Sequence, residues 1–400
     1  MKKKMLITCT VVLVTAAVIL GFVLKNQVRE NPDKNTVNVA IGQWGTTQNE
    51  SQNYWNPDNH AVAKGMGGYY FIQTTDGISK IAFFDETTQE AVAVCAKPEC
   101  THSDNTCNAY LCDMKQTGSA LYLTDTIYCY NGYLYLIQCE GGMGKLVRVH
   151  TDGSARETIA DLFANTGVSS ISLVFHENDV YAYDDTGHAG QEEEAEEVIK
   201  KISLTDGAQQ TVFSYTGTGA SIDRGRSFGD KLYFVIREYT KNKETKAVSS
   251  DYKGLFEYNF ATGDTRKVID ADVCDYHADT ENQTLFYFVQ GTGLYAYDMT
   301  QGSNTLIYPA EDELIQCKMS YDGKNLYLFN NGAGRATETK ARTKRYCYVL
   351  DTKGNQIAKI LCNGVVYFGD TDYLFEENGD NLEYMKKENL SDKSEWILIN

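Results

Sequence analysis

Residues 131–136 read Asn-Gly-Tyr-Leu-Tyr-Leu, a tight turn followed by a strand rich in tyrosine and leucine. The same arrangement recurs along the chain, and most copies begin roughly 40–53 residues apart, a period that indicates a repeat architecture. The other copies lie at residues 67–71, 177–183, 229–234, 282–288, 323–329 and 370–375. Seven copies of one strand predict seven copies of one structural unit.

Each unit also repeats the order of its strands. In the third unit an apolar strand at 171–175 precedes the tyrosine-rich strand, and strands at 202–204 and 211–213 follow, joined by a turn at 205–207. Four antiparallel strands per unit of this length are typical of a propeller blade. The sequence therefore predicts an all-β fold, a β-propeller of about seven four-stranded blades over residues 59–399. A pair of β-sandwiches is the alternative, and the even repeat disfavours it.

The N-terminal segment has the pattern of a membrane anchor. Residues 5–24 carry no charge and follow three lysines, and a helix of about 20 residues spans a bilayer core. The lysines place the N-terminus inside. We expect a cytoplasmic tail at 1–4, a single transmembrane helix at 5–24, a linker or N-terminal strap at 25–58, and an extracytoplasmic propeller at the cell membrane. A cleaved signal peptide is the rival, but its apolar stretch is normally shorter and ends in a small-residue cleavage site.

Net charge limits the partners. The whole chain carries −17 and its first 36 residues carry +4, so residues 37–400 carry −21. A domain this acidic is repelled by phosphate backbones, which excludes nucleic acid as an expected partner.

Loop lengths suggest where a partner binds. Long segments at 186–197, 238–252 and 331–344 fall between the second and third strands of their units, and a cysteine-rich insert at 95–119 falls between blades one and two. In an up-and-down blade these connections leave by one face, and recognition is usually placed on long loops. The sequence therefore predicts a protein, peptide or glycan ligand on this long-loop face.

The insert contains Cys95, Cys100, His102, Cys107 and Cys112. Outside the membrane, closely spaced cysteines most often form disulfides, and we favour disulfides among these four cysteines. Three thiolates and an imidazole, from Cys95, Cys100, His102 and Cys107, could instead form a structural zinc site. No other cofactor is expected.

The segment from Cys95 onwards reads Cys-x4-Cys-x-His-x4-Cys-Asn-Ala-Tyr. With the anchor and the repeats, it resembles a group of membrane-anchored extracytoplasmic propeller proteins of Gram-positive anaerobes whose first blade ends in this motif. Cys95, Cys100, His102 and Cys107 match the motif, whereas Cys112 is additional. The resemblance implies a location and a fold, and it implies no reaction.

Two functions follow from these patterns. The leading interpretation is a non-catalytic binding or scaffold module at the cell surface. The alternative is a carbohydrate-active or other hydrolytic enzyme, for which Asp270, Asp272, Asp275 and His277 are the candidate residues because two carboxylates at a controlled separation hydrolyse glycosides. Sequence motifs of serine hydrolases, zinc proteases and nucleotide-binding enzymes are absent.

Overall fold

The computed structural model describes residues 39, 41, 51–58, 60–113, 115, 121–164, 171–184, 194–241, 248–330, 344–379 and 381–399. Within these residues the chain forms seven antiparallel sheets, each made of consecutive strands. Among the described residues no helix is long and apolar enough to cross a membrane, and the predicted anchor at 5–24 lies outside them.

Blades 1 to 3 begin the ring. Their strands are β1 Val62–Gly65, β2 Gly68–Thr75, β3 Ile78–Asp85, β4 Ala91–Ala93 and β5 Tyr110–Asp113 in blade 1; β6 Leu121–Tyr130, β7 Tyr133–Glu140, β8 Met143–His150 and β9 Arg156–Ala164 in blade 2; and β10 Ile171–His176, β11 Asp179–Asp184, β12 Glu194–Ser203 and β13 Gln209–Thr218 in blade 3.

Blades 4 to 7 complete it. Their strands are β14 Ala220–Phe228, β15 Lys231–Lys241, β16 Val248–Asn259 and β17 Thr265–Ile269 in blade 4; β18 Val273–Asp279, β19 Thr284–Val289, β20 Gly293–Asp298 and β21 Ser303–Pro309 in blade 5; β22 Lys318–Tyr321, β23 Asn325–Phe329, β24 Arg345–Asp351 and β25 Gln356–Cys362 in blade 6; and β26 Val365–Tyr367, β27 Tyr373–Asn378, β28 Asn381–Lys386 and β29 Ile397–Leu398 in blade 7.

This architecture confirms the predicted seven-bladed propeller. Each of the seven tyrosine-rich segments forms or leads into the second strand of its blade. The turn that precedes this strand in blade 2 has positive φ at Asn131 (49°) and Gly132 (80°), the conformation that a two-residue hairpin requires. The local signal was sufficient because turn chemistry and strand pattern repeat together.

The core lies between neighbouring blades. One buried cluster joins Tyr135 and Leu146 of blade 2 to Phe175 and Val180 of blade 3. Another joins Phe84 of blade 1 to residues of blade 7. A blade cannot bury both faces of its sheet alone, so these clusters make the ring one cooperative unit.

Two of the predicted loops contain more strand than expected. Glu194 to Glu197 belong to β12 and pair with β13, and β15 and β16 extend to pair Thr240 with Ser249. Pairing satisfies backbone groups that an irregular loop would leave to solvent. The central parts of the three long loops lie outside the described residues.

The cysteine-rich insert does not lie between blades 1 and 2 as the sequence predicted. It interrupts the outer strand of blade 1: β4 pairs with one half of β3, and β5 returns after the insert to pair with the other half. Without β5, the N-terminal half of β3 would be an open edge with unpaired N–H and C=O groups. The first blade therefore contains five strands.

A short segment at residues 51–60 passes among the inner strands of the ring. It begins with a single 3-10 turn, Ser51–Tyr54. Its Gln52 exchanges hydrogen bonds with the backbone of Phe175 in blade 3, and its His60 pairs with Thr126 in blade 2. We call residues 51–60 the axial strap.

Candidate metal centre and axial cavity

Three of the predicted cysteines and the predicted histidine come together. One ligand atom from each of Cys95, Cys100, His102 and Cys107 lies within 4.8 Å of the other three. The Nδ1 atom of His102 is 3.3 Å from the Sγ of Cys107. Cys112 does not belong to this group and lies buried on β5. The described cysteines are free thiols in the structure, so the disulfide interpretation gains no geometric support from it.

Backbone geometry brings the four side chains to one point. Glu99 and His102 on either side of Cys100 have φ of 55°, a left-handed conformation that reverses the chain. The backbone N–H of His102 lowers the pKa of the Cys100 thiol, whereas burial raises the pKa of Cys107 to about 11. The N–H of Lys97 donates to the Sγ of Cys95 over 3.4 Å. Together these thiols and the imidazole form a donor set suited to zinc.

A second feature is a cavity of about 1190 Å³ beside the axis. Its walls come from the turns that join the first and second strands of blades 5, 6 and 7, with residues 323–325 and 371–372 at the rim. Asn53 and Tyr54 of the axial strap form part of its lining. These turns leave by the face opposite the long loops, which we call the tight-turn face. The described cavity therefore opens away from the face that the sequence predicted for recognition.

One aspartate recurs at the end of the first strand in each of these three blades, and two of the three, Asp279 and Asp322, line the cavity. Asp279 accepts the phenol hydrogen of Tyr321 from the next blade at 2.9 Å. Asp322 accepts a hydrogen bond of 3.2 Å from Lys387 of the next blade. Asp370 belongs to the same series in blade 7. Each aspartate follows or ends the first strand, a signal that sequence reasoning missed although the spacing contains it.

The acidic group formed by Glu86, Asp370 and Asp372 already has a cation beside it. The ammonium of Lys64 lies 2.5 Å from Glu86 and 3.1 Å from Asp370. Both carboxylates therefore share one ion-pair partner, a lysine of blade 1.

The residues predicted for catalysis do not form one site. Asp270 and Asp272 precede β18, whereas His277 lies near its other end, and five residues of strand span about 16 Å. Asp270 is exposed and pairs with Lys267 at 2.9 Å. Asp272 accepts the N–H of Tyr252 at 2.7 Å, and burial raises its pKa.

Asp275 is a structural residue. It is fully buried and its Oδ1 accepts a hydrogen bond of 2.7 Å from Nη1 of Arg226, while its Oδ2 accepts the N–H of Met319 at 2.7 Å. Arg226 also donates to the carbonyl of Met319 at 2.8 Å. Arg226 lies in blade 4, Asp275 in blade 5 and Met319 in blade 6. The ion pair and its hydrogen bonds to Met319 therefore connect three blades at the axis.

His277 lines the cavity but is held as a neutral ring. Burial, with a smaller effect of the Arg226 charge, lowers the pKa of His277 to about 3. Its Nε2 lies 2.9 Å from the carbonyl oxygen of Asn53 in the axial strap. Both ring nitrogens face backbone carbonyls, those of Ala278 and Asn53, so the ring positions the strap and is not paired with a carboxylate of the described residues.

Comparisons with known proteins agree with the architecture. No protein-family model matches the sequence. No curated protein matches it either. The chain is similar to the structure of an oligogalacturonate lyase from Vibrio parahaemolyticus, with a TM-score of 0.51 and 12% identity over 89% of this chain and 96% of that one. Sqt1 from Saccharomyces cerevisiae has a TM-score of 0.46 and 9% identity over 90% of this chain and 89% of that one.

At these identities the similarity shows the fold alone. Structure and comparison together define the chain as a seven-bladed β-propeller whose blades are four-stranded sheets, the first carrying one extra strand. Propellers host many unrelated functions, so the activity has to be argued from the cavity and its side chains.

Proposed function

We propose that the protein is a non-catalytic, membrane-anchored extracytoplasmic module that holds a basic peptide segment of a partner in the axial cavity. The observation that carries the proposal is the composition of the cavity rim on the tight-turn face. Exposed Glu281, Asp372 and Glu388 stand there, and the exposed lysines Lys324 and Lys386 are fewer.

The electrostatics of the domain favour a cationic ligand. A cavity with more carboxylates than lysines in its lining, on a domain carrying −21, attracts positive groups and speeds their encounter. Buried acids deeper in the wall are already engaged: Asp279 by Tyr321 and Asn282, and Asp322 by Tyr327 at 2.7 Å. The rim carboxylates are therefore the ones that supply charge to a ligand.

Binding is better supported than hydrolysis. Glycoside hydrolysis needs two carboxylates facing the same bond. Among the predicted catalytic residues, Asp275 faces Arg226 in the core and Asp272 faces the backbone of Tyr252. The neutral His277 at the cavity wall contacts the strap.

The anchored location is part of the same proposal. Residues 5–24 are uncharged and follow three lysines, which supports a single span with the propeller outside. The tight-turn face would then meet partners at the cell surface.

A binding measurement with a matched charge control tests this function. Fluorescein-labelled hexalysine is titrated by anisotropy against the wild type and a triple variant, Glu281→Gln, Asp372→Asn and Glu388→Gln. We expect affinity to fall about tenfold, because three exposed charges contribute about 0.5 kcal/mol each. Chitosan hexamer, a glycan with the same number of side-chain amines, provides a second probe.

The control removes three exposed or half-exposed acids from the opposite face, with Asp76→Asn, Glu140→Gln and Asp270→Asn. It changes net charge by the same amount and should retain wild-type affinity. Equal losses in both variants would show that binding follows net charge and not the cavity, which contradicts the proposal. Tight binding of chitosan without hexalysine would replace the peptide by an amino-sugar ligand.

A further inference from the structure

The cysteine-rich insert departs from the repeat at the edge of blade 1. Its two ends are fixed, because β4 and β5 both pair with β3. Within the insert, the side chain of Asn108 donates to the carbonyl of Gly153 in blade 2 at 2.7 Å. Most of the residues between these two strands do not pair with β3, so an interaction within the insert has to keep them compact.

Apolar packing within the insert is small. The buried residues are Cys107, Ala109 and Tyr110, with Cys95 and Cys100 packed against them. Residues 96–106 are polar apart from Ala96, Pro98 and Cys100. The cysteines thus make up most of what core the insert has, and a polar loop of this kind cannot be ordered by burial alone.

The donor atoms lie close enough together for a tetrahedral centre. Zinc lies about 2.3 Å from thiolate sulfur and about 2.0 Å from imidazole nitrogen, which places the ligand atoms of a tetrahedral site about 3.5–3.8 Å apart. In the structure the four atoms lie within 4.8 Å of one another, and His102 Nδ1 is 3.3 Å from Cys107 Sγ. Shifts below about 1 Å would bring them onto one ion.

We infer that Cys95, Cys100, His102 and Cys107 bind one structural zinc ion that fixes the insert into the outer edge of blade 1. Soft thiolates with an imidazole select zinc over the hard cations calcium and magnesium. Four protein ligands leave no open position, which is the property of a structural and not a catalytic centre. This site is independent of the axial cavity and of the proposed binding function.

Surrounding groups suit the charge of such a centre. Three thiolates and one zinc ion carry a net charge of −1, and Lys97 lies between the first two cysteines. Its backbone N–H donates to the Sγ of Cys95, and its ammonium donates to the carbonyl of Thr106 beside Cys107. Hydrogen bonds of this kind orient metal ligands and stabilise the thiolate form.

A disulfide explains fewer of these residues. Three converging thiols can form one disulfide, which leaves one thiol and His102 without a role. Cys112, the fourth cysteine of the disulfide prediction, is outside the group. Zinc uses the imidazole and all three thiols that the fold brings together.

Metal analysis of the full-length protein in detergent, purified under reducing conditions, tests the site. We expect close to one zinc per chain in the wild type, loss of zinc in Cys107→Ser and His102→Ala, and retention in Cys112→Ser and His150→Ala. These controls make the same substitutions at a cysteine and a histidine outside the group. Replacement of zinc by cobalt should give the charge-transfer absorption of thiolate ligation in the wild type.

Two outcomes would overturn the inference. One is wild-type protein without zinc whose cysteines in the insert all alkylate freely. The other is zinc-free protein, from a parallel preparation without reductant, in which these thiols resist alkylation and the mass is lowered by the two hydrogens of each disulfide. Because stoichiometry and the cobalt spectrum are measured on the wild type, poor folding of a variant does not remove the test.

Discussion

Glu376 on β27 is a carboxyl group with no exposed surface inside blade 7. Its Oε1 accepts backbone N–H groups of Asn363 and Gly364, both at 2.6 Å, and its Oε2 has no hydrogen-bond partner among the described residues. Burial raises its pKa from the ordinary value of 4.5 to about 7. The folded protein therefore holds this proton more tightly than the unfolded chain does.

The sign of the pH effect follows directly. The stability contributed by the protonated Glu376 is complete below pH 4.5 and is lost as pH rises through about 7. We expect Glu376→Gln, which stays neutral, to gain thermal stability relative to the wild type as pH rises from about 5 to about 8. Melting temperatures from circular dichroism at each pH measure this difference in stability, and the exposed Glu388→Gln is the control. Parallel pH profiles for wild type and Glu376→Gln would contradict this assignment.

Single residues also show where sequence reasoning ends. The alternation of Asp275 and His277 along an inner strand was visible, and so was their nearness to the axis. The contact between Arg226 of another blade and Asp275 was not visible, because these residues are 49 positions apart and no sequence pattern reports their contact. A charged residue near a propeller axis can therefore belong to the core as readily as to a site.

At the scale of elements, the axial strap is the segment that joins most blades. Its Trp55 is 1% exposed and its ring centroid lies 6.1 Å from that of Tyr69 in blade 1 and 5.7 Å from that of Phe375 in blade 7. The backbone carbonyl of Tyr54 accepts the hydroxyl of Ser320 in blade 6. The strap thus acts as a shared core for inner strands around the ring.

Removing the indole of Trp55 should therefore destabilise the whole propeller. We expect Trp55→Ala to lower the free energy of unfolding by about 3–5 kcal/mol, as large-to-small changes in a core do. The matched control is Trp396→Ala, a half-buried tryptophan at the outside of blade 7 whose Nε1 donates to Leu361, with an expected loss of about 1 kcal/mol. Urea titration measures the free energy of unfolding of both variants. Equal losses of this free energy would show that the strap is peripheral to the core.

Strands were predictable where their signal is local, whereas the contacts of the strap and the divided outer strand were not. The sequence signals for a turn such as Asn131-Gly132 and for an alternating apolar strand each lie within a few neighbouring residues. Seven units could therefore be counted from the sequence. Residues 51–60 lack periodicity, and their partners lie in distant blades. The return of Tyr110–Asp113 to the edge of β3 depends on an open edge that only the assembled sheet displays.

At the scale of the molecule, the ring has to close between its first and last blades. Blade 7 supplies its own four strands and blade 1 its own five, so no strand is exchanged between them in the described chain. Closure instead rests on side chains: a buried cluster that includes Phe84 and Phe375, and the hydroxyl of Tyr69, which donates to Asp370 at 2.9 Å. The ammonium of Lys64 reinforces this link.

Asp370 should therefore govern the opening of the ring. Asp370→Ala leaves the buried hydroxyl of Tyr69 and the ammonium of Lys64 without this partner, at a cost of about 2–3 kcal/mol. Asp279→Ala is the matched control, since it removes the same aspartate–tyrosine link to Tyr321 between blades 5 and 6, which the chain itself connects. Comparable global losses of stability are expected for the two variants.

Their local effects should differ. Only the seam between blades 7 and 1 lacks a covalent connection, so Asp370→Ala should lower amide protection in β1, β2, β26 and β27 together while the other blades keep theirs. Asp279→Ala should leave that seam protected, because its blades remain joined by chain. Hydrogen exchange with mass spectrometry under native conditions resolves the blades. Loss of protection spread evenly over all seven blades in Asp370→Ala would show that the ring opens elsewhere and that the strap, rather than the seam, holds it closed.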